Sequence, residues 1–93
     1  MDNLREEEIN ELCQALINIK NITDCKDFLD DLLTIQELAS LSSRVHAANL
    51  LLKGKTYQEV ISETKISSAT LARVNKCVKY GKGYNKVLKN ESH

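Results

Sequence analysis

The run Ser67-Ser68-Ala69-Thr70-Leu71-Ala72-Arg73-Val74 gathers hydroxyls, methyl-sized side chains and a guanidinium in one short stretch. At a helix start, hydroxyls and free backbone amides take phosphate oxygens. Small side chains let the backbone come close, and a guanidinium can grip a guanine edge or a phosphate. Lys76 and Lys79 carry positive charge further along the same segment, and Lys53 and Lys55 add it upstream. This chemistry grips a polyanion and makes no bonds. The chain has no Gly-rich phosphate loop, nucleophile elbow or catalytic triad, so a non-enzyme is expected. His46, His93 and the scattered Cys13, Cys25 and Cys77 show no metal-ligand spacing. Glu6-Glu7-Glu8 and Asp30-Asp31 are expected at helix ends, where they are solvated and matched to the helix dipole.

Positioning such a run requires a pair of helices. Residues Gln58 to Val74 have the layout of a helix-turn-helix. Val60 and Ile61 are expected to anchor the first helix, and Ile66 to point inward from the turn. Leu71, Val74 and Val78 step by 3 and 4 along the buried side of the second helix. Ser67, Ser68, Ala69, Thr70, Ala72, Arg73 and Lys76 are left outward, the placement that lets such a helix enter a major groove. Lys65 stands where these turns usually carry glycine at φ > 0, and Ile61 where a small residue usually lets the helices close. Both predict a looser helix pair. Tyr57, Tyr80 and Tyr84 flank the unit and are assigned to packing or backbone contact, since single-strand stacking needs a denser aromatic platform.

The rest of the chain reads as helices. Ile9, Leu12, Leu16 and Ile19 form one apolar stripe, with Glu6, Glu7 and Glu8 assigned to its first turn. Thr23 or Asp24 is expected to cap a second helix through Leu33, whose face is Phe28, Leu29, Leu32 and Leu33. Thr34-Ile35-Gln36-Glu37 reads as a capping box. The helix after it carries Leu38, Leu41, Val45, Ala48 and Leu52, and looks like the central core element, ended by Gly54. Thr56 is expected to cap 57–63 and Ser67 to cap about 68–79. Gly81 and Gly83 are expected to end that helix. A last short helix from Tyr84 to about Lys89 and a frayed tail to His93 complete an all-α chain.

Ninety-three residues, with 42% hydrophobic and 28% charged side chains and no proline, fit one soluble domain with a thin core. Association with a second copy is one remedy. No apolar run approaches the roughly 20 residues of a membrane span. No apolar leader follows Met1, and the cysteines are odd in number, which together predict a cytoplasmic protein with reduced thiols. The zero net charge conceals a polar chain: residues 1–43 hold ten acids and three bases, residues 44–93 ten bases and three acids. No acid occurs between Lys65 and Glu91. A basic half suits double-stranded DNA, but a solvated face, or the halves attracting each other across a dimer, would also produce it.

Leu32-Leu33-Thr34, Glu37, Leu41, Arg44-Val45, Leu51-Leu52-Lys53-Gly54, Gln58 and Ala69-Thr70-Leu71-Ala72-Arg73 resemble the bacterial Trp repressor family, and within it the TrpR-like branch called YerC/YecD. The resemblance covers residues 32–79 by motif. It implies an all-helical, intertwined homodimer whose N-terminal helices interlock and whose helix-turn-helix units sit at the two ends. In this chain residues 1–55 would be the dimerisation core, 56–80 the helix-turn-helix, and 81–93 the short helix and tail. The family also implies L-tryptophan, or a related small ligand, as corepressor between core and reading head. The corresponding positions here are Thr34, Arg44 and Arg73. Val74 departs from the family's glycine, and the reading turn is one residue shorter.

The expectation is therefore a dimeric, sequence-specific DNA-binding transcription regulator, a repressor. Ser67, Ser68, Ala69, Thr70, Ala72 and Arg73 would read, and Lys53, Lys55, Lys76 and Lys79 would attract phosphate. The alternative is a dimeric protein-interaction adaptor that docks the basic helix pair on an acidic partner.

Overall fold

A computed structural model describes residues 3–88, all helices and turns without a strand: α1 (Asn3–Ile17), α2 (Ile22–Leu32), α3 (Ile35–Leu52), α4 (Tyr57–Thr64), α5 (Ser68–Tyr80) and α6 (Gly83–Leu88). The chain divides into two compact units, Met1–Ile35 and Gln36–His93. The tail expected beyond Leu88 lies outside the described residues.

In the first unit, α1 begins at Asn3, so its first turn holds Glu6. Glu7 and Glu8 fall one step further in than the sequence suggested. No described side chain of α1 is fully buried, and Ile9, Leu12 and Leu16 all stand exposed along their stripe. Cys13, beside that stripe, is exposed with it. The cap of α2 is Asn21, not Thr23 or Asp24. Its side-chain oxygen accepts the Asp24 amide at 2.8 Å, and its Nδ2 donates back to the Asp24 carboxylate at 3.2 Å. The helix starts two residues earlier than expected because asparagine satisfies the third amide of the turn as well as Ser or Thr would. That leaves Asp24 in the first turn, favourably placed for the dipole, whereas Asp30 and Asp31, expected to match it, fall in the last turn and oppose it.

The second unit is built on α3. Its Ala47, Ala48 and Leu50 join Val60 of α4 and Leu71 and Val74 of α5 in the buried core, with Leu51, Ile66, Val78, Tyr84 and Leu88 packed against it. This face is not the stripe read from the sequence. Of that stripe, Ala48 is fully buried, while Leu41 and Val45 remain 42% and 43% exposed. At 3.6 residues per turn, Ala47, Leu50 and Leu51 occupy a different side of the helix from Leu41, Val45 and Leu52. α3 thus has two apolar faces, and only one is covered within its unit.

Gly54 ends α3 as expected. At φ 93 it lets its own amide reach the Leu51 carbonyl and the Lys55 amide reach the Leu50 carbonyl, both at 3.0 Å. That is the paired closure of a Schellman turn. α4 opens at Thr56 with a reciprocal box: the Glu59 amide donates to the Thr56 hydroxyl at 3.2 Å, and the Thr56 amide donates to the Glu59 carboxylate at 2.9 Å. α5 ends at Gly81, whose amide donates to the Cys77 carbonyl at 2.8 Å. A Cβ at Gly81 would stand 2.7 Å from that same oxygen, so the close approach requires glycine. Gly83, expected to help stop α5, is instead the first residue of α6. The stop is already complete at Gly81, where the chain turns extended.

Candidate nucleic-acid interface

The turn between α4 and α5 sets the angle of the reading helix. Lys65, the C-cap of α4, takes the left-handed conformation at φ 58 that the sequence assigned to a glycine position. Thr64 braces the turn. Its hydroxyl donates to the Val60 carbonyl at 2.8 Å and accepts the Ile66 amide at 3.2 Å. Ile66 then packs on the core as expected. Ile61 does not anchor α4: it is 37% exposed, and Val60, fully buried, holds the helix alone. Ile61 points about 100° away from Val60 around the helix, toward a side that the unit leaves partly open.

Ser67 caps α5. Its Oγ accepts the Thr70 amide at 3.1 Å and donates to Thr70 Oγ1 at 2.9 Å. Two of the expected reading hydroxyls are therefore engaged with each other, although the Thr70 hydroxyl hydrogen is still able to donate. The Leu71 amide goes to the Ser67 carbonyl at 2.9 Å. The Ser68 and Ala69 amides, at the first two helical positions, keep no intrahelical acceptor and point out from the helix start. Ser68 and Ala69 are themselves exposed.

Leu71 and Val74 are buried at 0% and 2% exposure, and Val78 packs behind them. Opposite them, Ala72, Arg73, Lys76 and Lys79 are exposed, and Thr70 is half-buried. Lys53 and Lys55 stand exposed in the α3–α4 turn of the same unit. The expected reading residues thus lie at the start and along the open side of α5, and Lys53 and Lys55 lie in the turn that precedes α4.

Arg44 of α3 and Arg73 of α5 meet in a cleft of about 440 Å³, lined also by Ala69, Thr70, Val74, Cys77 and Tyr84. Thr34, the third expected ligand residue, stands immediately before α3 in the N-terminal unit. Cys77 and Tyr84 were not assigned to this site from the sequence. Their signal was their spacing: Cys77 lies one turn beyond Arg73 on α5, on the side of Val74. Among the described residues no group of three or more His, Cys, Asp or Glu is arranged to hold a metal ion.

The comparisons agree with this geometry. The pattern of the Trp repressor protein family matches residues 7–92. The chain is 40% identical over 81 residues to YerC of Bacillus subtilis (strain 168), covering 87% of this chain and 78% of that protein. It superposes on the crystal structure of a candidate Trp repressor from Staphylococcus aureus with a TM-score of 0.84 at 29% identity, covering 98% of this chain and 95% of that one. The crystal structure of a TrpR-like protein from Eubacterium eligens ATCC 27750 gives a TM-score of 0.83 at 35% identity, over 91% and 89% of the two chains. With its helix-turn-helix and its family match in agreement, the chain belongs to the Trp repressor family, a family of regulators and not of enzymes.

Proposed function

We propose that this protein is a sequence-specific repressor of transcription that reads duplex DNA as a homodimer in a bacterial cytoplasm. One observation carries the reading: the start of α5 presents the small exposed Ser68 and Ala69, whose amides have no intrahelical acceptor, and the exposed Arg73, on the side opposite buried Leu71 and Val74. A helix start of this kind suits a groove floor, and Arg73 suits a guanine edge.

The homodimer is supported by the uncovered apolar face of α3, Leu41 and Val45, and by the exposed stripe of α1. Exposed apolar surface of this extent on a small chain marks an interface. A twofold dimer would read half-sites about 34 Å apart or a multiple of it. The cytoplasmic setting rests on three unpaired cysteines.

The Arg44–Arg73 cleft would take a small ligand that pairs a carboxylate with an aromatic body, L-tryptophan or a relative, between the guanidiniums. Selection of duplexes from a random pool, with and without tryptophan, tests both parts. A consensus recovered only with tryptophan supports both, and one recovered without it supports the DNA reading alone. No retained duplex at low salt would favour a protein adaptor, a reading that the exposed Ile61 also suits.

A further inference from the structure

The outward stripe of α5 does not stop where base reading would. Ala69, Arg73, Lys76 and Tyr80 follow one another at spacings of 4, 3 and 4, all on the side away from Leu71 and Val74. Arg73, Lys76 and Tyr80 line a shallow notch of about 260 Å³ together with Cys77 and Gly81. At 1.5 Å per residue, Tyr80 lies about 16 Å along the helix from Ala69. The major groove is about 12 Å wide. A helix that enters it by its N-terminus therefore carries Tyr80 to the phosphate wall instead of the base edges.

Tyr80 is 80% exposed, unusual for an aromatic side chain with no covering element, and its hydroxyl is a donor suited to a phosphate oxygen. Lys82 follows it, exposed, in the turn to α6. That turn is held in place. The Asn85 Nδ2 donates to the Val78 carbonyl at 2.8 Å and lies 3.5 Å from the Gly81 carbonyl, tying α6 to the end of α5. The same bonds occupy carbonyls that would otherwise turn their negative ends toward an anion. No acid occurs anywhere from Lys65 to Lys89 to oppose one.

We propose that the C-terminal end of α5 and the turn after it, through Tyr80 and Lys82, form a second, sequence-independent seat for DNA phosphates flanking the base-reading site. This rests on the DNA reading above and extends it. The protein would grip duplex beyond its recognised bases, so its footprint would exceed its consensus.

The test uses the full chain and the duplex recovered from the random pool, trimmed to its consensus or extended by fixed flanks of one helical turn on each side. The wild type should bind the extended duplex about a hundredfold tighter than the trimmed one, about tenfold from one hydrogen bond to a charged acceptor at each of the two flanks. Tyr80→Phe and Lys82→Ala should bind the trimmed duplex like wild type and lose most of the gain. Lys82→Ala, which removes one lysine from each protomer, should also lower the log–log salt slope by about 1.8 on the extended duplex only. Indifference of the wild type to the flanks, or a gain that survives both variants, overturns the flanking seat and leaves the DNA reading in place. A pool that yields no retained duplex overturns both. Circular dichroism of these surface variants should match wild type, which separates loss of contact from loss of fold.

Discussion

Lys65 donates its backbone amide to the Ile61 carbonyl at 2.9 Å while holding φ at 58, the one non-glycine residue with positive φ among those described. The bond closes α4, and the conformation turns the chain into α5. A side chain in this region costs about 1–2 kcal/mol, while glycine there gives back about 0.4–1 kcal/mol through a freer unfolded chain. Lys65→Gly should therefore stabilise the protein by about 0.5–1 kcal/mol in urea unfolding. A destabilised variant would mean that the turn is held by contacts of the lysine stem and not by backbone alone.

Much of this architecture was legible because helix starts announce themselves chemically. Thr56 and Ser67 cap the helices expected of them, and Gly54 ends α3. The Thr56–Glu59 box has the spacing recognised at Thr34–Glu37 and was readable by the same rule. Asn21 was passed over because Thr23 and Asp24 are equally good caps two and three residues on, and only the backbone decides among them. The faces of α3 were harder. Periodicity finds the longest apolar stripe, but Leu41 and Val45 belong to a side that the unit leaves open, while the covered side uses small Ala47 and Ala48. A single chain's periodicity cannot say which of two apolar faces its own fold covers. In the candidate site, Arg44 and Arg73 came from family resemblance, Cys77 was readable from its place one turn beyond Arg73, and Tyr84 came only from the packing of α6 on α5.

The uncovered face of α3 makes the assembly testable. The protein should sediment as a dimer, and Leu41→Glu should sediment as a monomer. Burying an unpaired carboxylate at an interface costs about 3 kcal/mol or more, over a hundredfold in the association constant. Leu41 is already 42% exposed in the single chain, so the substitution leaves the unit's own core untouched. Dimerisation unchanged by Leu41→Glu would move the interface elsewhere.

Arg73 and Lys76 separate reading from attraction. Arg73→Ala should weaken binding to the selected duplex by about 1–3 kcal/mol and relax preference at one position of the consensus. Lys76→Ala should weaken binding to all duplexes alike and reduce the salt slope by about 1.8, about 0.9 for each protomer. Footprinting titrations across a salt series measure both. Equal loss of sequence preference in the two variants would remove Arg73 from its reading role.

Val74 lines the cleft and is also core, at 2% exposure. Its methyls narrow the space between Arg44 and Arg73 where an aromatic ring would lie. Val74→Ala should cost about 2 kcal/mol in unfolding, the loss of two buried methyls and a small cavity. The same variant should bind L-tryptophan more tightly than wild type in a calorimetric titration, because the slot is wider. Tighter binding by the wild type would show that the ring does not lie against Val74.

Glu59 supplies a pH dependence. The Thr56 amide beside its carboxylate, chiefly, with the Thr56 hydroxyl and Lys55 in support, holds its pKa below the ordinary 4.5. A lowered folded pKa means that the ionised form stabilises the helix above the unfolded value, and that this contribution disappears as pH falls through the lowered one. Glu59→Gln retains an oxygen for the Thr56 amide but removes the charge, and with it the favourable interaction at the N-terminus of α4. Wild type should be more stable than Glu59→Gln near neutral pH, and the two should converge in acid, below the lowered folded pKa. Urea unfolding of both proteins at the two pH values measures the difference. A gap that persists unchanged in acid would show that the shape of the Glu59 side chain, and not its charge, closes the box.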